Sequence, residues 1–230
     1  SMTKIMTALL TIENLPDLNE TITVPEDIFE ELTAQDASVA GFNPYEQPTV
    51  RDLLYGVLLP SGADACETLA RAVGGSEEGF VAMMNQKAEE LGLTNTHFEN
   101  CTGLHNDNHY STCRDIAVLM SECLKSDTFR EIVTREVYTT EATASHPEGI
   151  TLYDTMLHRF TSYEMSTTLE NGAVIEGGKT GFTDEAGQCL VSFAEYGGEE
   201  YILVTAEAMT DSGSAVDSIA DASTVYGLSL

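Results

Sequence analysis

The sequence predicts a mixed α/β (α+β) fold, with helices through the middle of the chain and strands in its C-terminal third. Apolar residues recur every three or four positions up to about residue 134 and alternate beyond it, which are the spacings of helices and strands. With 230 residues, 42% of them hydrophobic, the chain can bury one substantial core. We therefore predict a single domain, 1–230, with a helical subdomain over roughly 20–165.

The first predicted helix, 1–13, carries Ile5 and Leu9 on one face and ends near Pro16, so we expect that face to be buried. Another helix must stop at Pro60, because proline cannot continue a helix. The helices predicted after the first are 51–59, 64–73, 76–91, 111–125, 129–133 and 211–226.

Strand-like alternation is short before residue 134 and extended after it. Gly197 and Gly198 separate the last two alternating stretches, which predicts a hairpin. We expect the strands of the C-terminal third to form an antiparallel sheet on which the first and last helices pack. The predicted strands are 21–24, 136–140, 174–175, 188–195 and 201–206.

The charge balance excludes one class of partner. Lys and Arg total 10 against 38 Asp and Glu, giving a formal charge of -28 and a pI near 4.1. Such a chain repels nucleic acid and anionic membrane surfaces, so we expect no nucleic-acid binding. The sequence has no run of 18 apolar residues and no recognisable leader, so any membrane attachment would use segments absent from it.

The five cysteines form an odd set without a C-x-x-C pair, which argues against a disulfide framework and against a zinc ribbon. We expect most of them to be small buried hydrophobic residues. They are Cys66, Cys101, Cys113, Cys123 and Cys189.

Ser1 and Lys4 lie three residues apart on the first predicted helix and therefore share a face. A serine hydroxyl is a poor nucleophile until a base removes its proton, and a neutral lysine can be that base. A second cation nearby would disfavour the charged form of Lys4, and Lys179 is the candidate.

Two further motifs accompany this pair: Ser61-Gly-Ala63 directly after Pro60, and Lys179-Thr-Gly181 after two glycines. The set S-x-x-K, S-x-N and K-T-G is typical of penicillin-binding proteins and class A β-lactamases. The sequence resembles the D-alanyl-D-alanine carboxypeptidase family, the low-molecular-weight penicillin-binding proteins. The matching stretches are 1–9, 58–65, 94–98, 103–105, 109–112 and 177–184.

This resemblance implies a penicillin-binding protein/β-lactamase-like fold, with an antiparallel sheet flanked by helices. It implies a serine-type D-Ala-D-Ala carboxypeptidase that trims peptidoglycan pentapeptides through an acyl-serine intermediate. Ser1 would attack the carbonyl between the two D-alanines, and Lys4 would act as the base. Ser61 would relay the proton towards the leaving amine, and Lys179 would supply positive potential.

The substrate-binding residues implied by the resemblance are Thr180, Gly181, Phe182 and Thr183. The two threonine hydroxyls would hold the substrate carboxylate, and the N–H of Phe182 would stabilise the oxyanion. No metal and no organic cofactor are implied. The implied partners are the peptidoglycan stem peptide and, as covalent inhibitors, β-lactam antibiotics. The implied location is the outer face of the cytoplasmic membrane, or secretion.

Three features depart from the family pattern. Ala63 stands where the second motif usually ends in Asn, so we expect a slower but active enzyme. Beyond Arg159 the only basic side chain is Lys179, so a late arginine that grips the substrate carboxylate is missing. The strands that relatives carry ahead of S-x-x-K are missing too, and Ser1 before Met2 could be a remnant of tag removal in front of a start codon.

Two alternatives concern other motifs. Residues 173–180 differ from a P-loop only by Ala173 at the first glycine, although a P-loop should open a helix. His105, Asp107 and His109 could hold a metal, although a hydrogen-bonded loop is the simpler interpretation.

Two alternatives concern the enzyme itself. An N-terminal nucleophile hydrolase would use Ser1 with its own amine as base, which leaves the K-T-G motif unexplained. A non-catalytic relative that binds cell-wall peptide would account for Ala63 and for the early start of the sequence.

Overall fold

A computed structural model describes residues 1–208 and 216–230 and confirms the mixed α/β prediction. The elements in chain order are α1 (Lys4–Asn14), α2 (Ile28–Ala34), α3 (Val50–Leu58), α4 (Ala63–Gly74), α5 (Glu77–Glu90), α6 (Cys113–Cys123), α7 (Asp127–Val133), β1 (Val137–Thr139), β2 (Thr151–Tyr153), α8 (Leu157–Ser162), β3 (Val174–Thr183), β4 (Gly187–Tyr196), β5 (Glu199–Ala208) and α9 (Asp217–Ser229).

Helix α1 lies at the centre of the helical part of the molecule. Every residue from Lys4 to Thr11 is buried, and the helix packs against α3, α4, α5, α6 and α7. A helix that is buried all round belongs in a core. The predicted burial of one face is thus exceeded, and α1 shares one core cluster with Val191 and Phe193 of β4. Helices α6, α7 and α9 make the principal helix contacts with the sheet.

Helices α3, α5 and α6 begin close to where the sequence predicts, and a side chain caps each of them. Thr49 and Asp52 form a capping box at α3, and the Ser76 hydroxyl accepts the N–H of Gly79 at 3.1 Å at α5. The Thr112 hydroxyl accepts the N–H of Asp115 at 3.1 Å at α6. The sequence does not predict helices α2 and α8, which are short, with seven and six residues.

The sheet of the C-terminal third is antiparallel in the order β3-β4-β5, and the predicted hairpin at Gly197-Gly198 is confirmed. Strand β3 is longer than predicted, because Gly177 and Gly178 lower strand propensity without ending the strand. A Cβ at Gly178 would lie 2.3 Å from the carbonyl oxygen of Val191. The two glycines therefore serve close backbone packing.

The other strand predictions have mixed outcomes. The predicted strand 136–140 corresponds to β1, which pairs with the unpredicted β2 in a separate two-stranded sheet. The predicted strand 21–24 is wrong, since its ladder pairing with the described residues is limited to one bridge between Thr21 and Thr49. Loop hydrogen bonds from Ile22 to Pro48 and from Val24 to Glu46 hold this segment instead.

A second apolar cluster joins the sheet to the last helix. Leu190 and Ala194 of β4 pack with Ile219, Ala222 and Tyr226 of α9. The Tyr226 hydroxyl donates to the carbonyl of residue 192 at 2.9 Å. The sequence predicts the final helix over 211–226, and residues 211–215 of that range lie outside the described residues.

Four of the five cysteines are buried, as predicted, and Cys113 is exposed. In residues 1–208 and 216–230, none of the helices combines the length and the apolar character needed to cross a bilayer.

The Asp64 carboxylate, in the first turn of α4, is a buried anchor that we expect to dominate the stability of the loop at residues 40–42. It accepts three backbone N–H groups, from Ala40 at 2.7 Å and from Gly41 and Phe42 at 3.0 Å. Asp64→Ala leaves these donors without an acceptor, at about 1–3 kcal/mol for each unsatisfied group. Urea unfolding should therefore show a loss of about 3 kcal/mol or more.

Two further variants complete this experiment. Asp64→Asn should lose less stability than Asp64→Ala, since it keeps one acceptor oxygen. Asp221→Asn, on the exposed face of α9, is the control and should unfold like the wild type. Equal stability of Asp64→Ala and the wild type would contradict the anchoring role.

Candidate active site

The S-x-x-K pair stands at the start of α1. The Nζ of Lys4 lies 3.3 Å from the Oγ of Ser1 and donates to the carbonyl oxygen of Thr102 at 2.6 Å. Only 3% of Lys4 is exposed, and this burial lowers its pKa, although Cys66 and Asp64 act in the opposite direction. A neutral lysine within hydrogen-bond reach of a serine hydroxyl is the arrangement that general-base activation requires.

Ser61 occupies a strained turn between α3 and α4. Its φ is +67°, in the left-handed region that a serine seldom adopts. Its hydroxyl is buried and has no hydrogen-bond partner among the described residues. A buried hydroxyl without a partner is costly, and strain of this kind clusters at functional sites. The next residue is tightly enclosed, since a Cβ at Gly62 would lie 2.7 Å from Ala40.

Lys179 lies on β3 with only 1% of its surface exposed, and its Nζ donates to the carbonyl of Thr180 at 3.1 Å. Burial lowers the pKa of Lys179 to about 7, and the charge of Lys4 acts in the same direction. The carboxylate of Asp154 opposes this effect. Asp154 also caps α8 by accepting the N–H of Leu157 at 2.7 Å, so one buried carboxylate serves both the helix and the lysine.

The two lysines and β3 converge on Ser1. Lys4 and Lys179 both lie close enough to the nitrogen of Ser1 to act on it electrostatically. An ideal Cβ on Gly181 would lie 3.6 Å from the nitrogen of Ser1, so the K-T-G strand passes directly beside the candidate nucleophile. In the described sheet β3 is an edge strand, and residues 167–168 cover the outer side of its first two residues.

The remaining predicted binding residues differ in their surroundings. The Thr180 hydroxyl lies 2.6 Å from the Thr155 hydroxyl. The Thr183 hydroxyl accepts the N–H of Ala186 at 3.1 Å, within the turn to β4, and the Phe182 ring is 57% exposed. Ser1, Gly181, Phe182 and Thr183 all line one cavity of about 420 Å³.

Sequence reasoning missed two residues of this site. The contact of the Thr102 carbonyl cannot be predicted from side-chain patterns, because it is a backbone group. Asp154 lies between β2 and α8, and the sequence predicts neither of these elements. The only available signal for Asp154 was a helix-capping residue type next to Thr155.

The structure also decides two of the alternative interpretations. Strand β3 continues through Thr180 to Thr183 and turns into β4, so the P-loop hypothesis is wrong because no helix follows the motif. His109 is engaged through both ring nitrogens. Its Nδ1 accepts the N–H of Glu99 at 3.1 Å, and its Nε2 lies 2.7 Å from the Thr3 hydroxyl. Burial lowers the pKa of His109 to about 4, which suits a neutral structural histidine.

A different cluster has metal-ligating atoms close together. In the described part of the chain, ligand atoms of Glu67, Glu77 and Cys101 lie within 4.8 Å of one another. Burial and the neighbouring Glu77 raise the pKa of Glu67 to about 8, so this carboxyl is mostly protonated at neutral pH. The Cys101 thiol lies 3.4 Å from Glu67, and the Cys101 N–H donates to Glu77 at 3.2 Å. The cluster therefore fastens the turn that carries Thr102.

Curated relatives share the sequence over most of the chain. The family model for D-alanyl-D-alanine carboxypeptidase matches residues 1–210. The D-alanyl-D-alanine carboxypeptidase DacF of Bacillus subtilis (strain 168) is 35% identical over 91% of this chain, and the chain spans 51% of that protein. A D-alanyl-D-alanine carboxypeptidase of Streptomyces sp. (strain K15) is 37% identical over 88% of this chain and 69% of its own length. The chain thus spans about half the length of the Bacillus relative.

Solved structures agree with these relatives. The crystal structure of the Streptomyces K15 DD-transpeptidase superposes with a TM-score of 0.83 at 32% identity, covering 100% of this chain and 87% of that chain. A D-alanyl-D-alanine carboxypeptidase from Mycobacterium tuberculosis H37Rv gives a TM-score of 0.79 at 27% identity, covering 100% of this chain and 81% of that chain. Sequence and fold together show that the chain belongs to the D-alanyl-D-alanine carboxypeptidase family.

Proposed function

We propose that this chain is a serine-type D-Ala-D-Ala carboxypeptidase that removes the terminal D-alanine of a peptidoglycan stem pentapeptide. The observation that carries the proposal is the 3.3 Å contact between the Nζ of buried Lys4 and the Oγ of Ser1. Membership in the family supplies the substrate class, and the Streptomyces K15 neighbour, a DD-transpeptidase by name, indicates the same bond.

In the proposed acylation, neutral Lys4 takes the proton of the Ser1 hydroxyl while its oxygen forms a bond to the carbonyl carbon between the two D-alanines. The carbonyl oxygen becomes an oxyanion, which the N–H of Phe182 would stabilise. Collapse breaks the C–N bond, and the proton passes through Ser61 to the leaving amine. The buried Ser61 hydroxyl, which has no partner among the described residues, supports this role.

Hydrolysis of the acyl-serine then completes the reaction. Neutral Lys4 takes a proton from the water that adds to the ester carbonyl, and it passes this proton to the Ser1 oxygen as the ester bond breaks and the shortened peptide is released. The hydroxyls of Thr180 and Thr183 would hold the terminal carboxylate of the substrate, and Lys179 would supply positive potential. A β-lactam would follow the same first step and remain on Ser1 as a covalent inhibitor. The substrate places this reaction outside the cytoplasm, at the cell wall.

The nucleophile is tested with a fluorescent penicillin. The wild type should become covalently labelled, with one adduct located on Ser1 by mass spectrometry. Ser1→Ala should be labelled at least about 10³-fold more slowly, because removing a nucleophile removes the covalent pathway. Ser162→Ala, at an exposed position at the end of α8, is the matched control and should be labelled like the wild type.

Release of D-alanine from a synthetic peptide ending in D-Ala-D-Ala separates the enzyme from a non-catalytic relative. Labelling and D-alanine release, both lost in Ser1→Ala, support the proposal. A wild-type chain that binds isolated peptidoglycan yet shows neither reaction is a wall-binding protein, the alternative that Ala63 motivates.

The base is tested by the pH dependence of acylation. Lys4 acts only when neutral, so the rate constant should rise with pH to a plateau. Because burial lowers the pKa of Lys4, the rise should be centred below the usual lysine pKa of about 10.4. Lys4→Arg should abolish the rise and lower the plateau rate by about 10² to 10⁴-fold, since a guanidinium stays protonated.

Lys125→Arg is the control for this experiment, because it makes the same substitution at an exposed lysine paired with Glu122. It should keep both the rate and the pH profile of the wild type. If the rate of Lys4→Arg still rises with pH, Lys4 is not the base.

A further inference from the structure

Lys4 makes one long and one short hydrogen bond. Its Nζ lies 3.3 Å from the Ser1 hydroxyl and 2.6 Å from the Thr102 carbonyl oxygen. Helix α4 packs against α1, and at position 63 it offers only the methyl group of Ala63. The short bond to Thr102 is therefore the contact that fixes the end of this long, flexible side chain beside the nucleophile.

The direction of the Thr102 carbonyl depends on the peptide unit between Thr102 and Gly103. A peptide unit is planar and trans, so its N–H and its C=O point in opposite directions. The N–H of this same unit belongs to Gly103, and it donates to the Oδ1 of Asn100 at 2.7 Å. Holding the N–H on one side therefore aims the C=O towards Lys4 on the other side.

Asn100 makes further bonds within the same turn. Its Oδ1 also lies 3.2 Å from the Thr102 hydroxyl, and its Nδ2 donates to the carbonyl of Leu104 at 2.9 Å. The side-chain oxygen of Asn100 thus accepts bonds from Thr102 and Gly103, and its nitrogen donates to Leu104. Amide groups in such a chain of hydrogen bonds polarise one another, which strengthens the bond to the lysine.

The other anchors of this turn act one residue earlier. The Thr7 hydroxyl donates to the carbonyl of Cys101 at 2.6 Å, and Glu77 accepts the Cys101 N–H. These contacts fix the backbone at Cys101 and leave the rotation of the following peptide unit to Asn100. The space is narrow, because Gly103 has φ +79° and a Cβ there would lie 2.8 Å from the nitrogen of Ser1.

We propose that Asn100 is a positioning residue for catalysis, which orients Lys4 by aiming the Thr102 carbonyl at it. The methyl group of Ala63 cannot orient the lysine in this way. This inference rests on the proposed function, in which Lys4 is the base. Its chemical basis is the run of contacts from Asn100 through one peptide unit to Lys4.

The test compares three variants by their acylation with fluorescent penicillin. Asn100→Ala removes the hold on the peptide unit and should lower the plateau rate about tenfold, the effect of one well-placed hydrogen bond. Asn100→Asp keeps an acceptor for the Gly103 N–H and should recover most of the rate. Asn85→Ala is the matched control, since Asn85 makes similar bonds to the backbone of Val81 and Phe98 and none to the Thr102 peptide unit. It should lower thermal stability and leave the acylation rate of the folded protein unchanged.

The pH profile separates positioning from a merely structural role. A hydrogen bond to the Thr102 carbonyl favours the charged form of Lys4. Weakening this bond in Asn100→Ala should therefore lower the pKa of Lys4 and move the rising part of the pH–rate profile to lower pH. An Asn100→Ala variant with the wild-type rate and pH–rate profile would overturn the inference, as would equal slowing in Asn100→Ala and Asn85→Ala without movement of the profile.

The carbon-13 titration of the Cε of Lys4, measured by NMR without substrate, keeps this test independent of the proposed reaction. The lysines of the chain are Lys4, Lys87, Lys125 and Lys179, so the resonance can be assigned by substitution. A lowered titration midpoint of Lys4 in Asn100→Ala supports the contact, and an unchanged midpoint overturns it. If the wild type is not labelled by penicillin, the proposed function fails, and this titration alone decides the contact.

Discussion

The burial of Lys4 inside the helical core is the constraint on which the rest of the site depends. A lysine in water stays charged and cannot accept a proton at neutral pH, and desolvation is what lowers its pKa. That desolvation exists because α1 is buried from Lys4 to Thr11 by the five helices around it. The helical part of the molecule therefore does more than support the site, since it gives the proposed base its chemistry.

Burying an amine is costly unless its N–H groups find acceptors, and the turn after Asn100 provides one. Gly103 in this turn approaches Ser1 so closely that a residue with a Cβ would clash there. The Glu67, Glu77 and Cys101 cluster secures the turn from the side facing α4 and α5. Protonation of Glu67 keeps this support from adding full negative charge near the lysine.

The electrostatic setting of the site contrasts with that of the whole chain. The formal charge is -28, which disfavours the approach of the proposed substrate with its terminal carboxylate. Lys4 and Lys179 both lie within range of Ser1, and each disfavours the charge of its neighbours. Asp154, between β2 and α8, opposes this repulsion and favours the charged form of Lys179. With Lys4 neutral as the base, the positive potential of the site is thus local, and it is set by the balance between buried Lys179 and buried Asp154.

The sequence by itself determined the features that depend on residues close together along the chain. The capped starts of α3, α5 and α6, the Gly197-Gly198 hairpin and the family resemblance of the three motifs all follow from local patterns. Only the tertiary structure decided that α1 is central, that β3 runs on through its glycines, and that the Thr102 carbonyl meets a lysine 98 positions away. The physical reason is that backbone groups carry no sequence signature, so long-range packing alone places them.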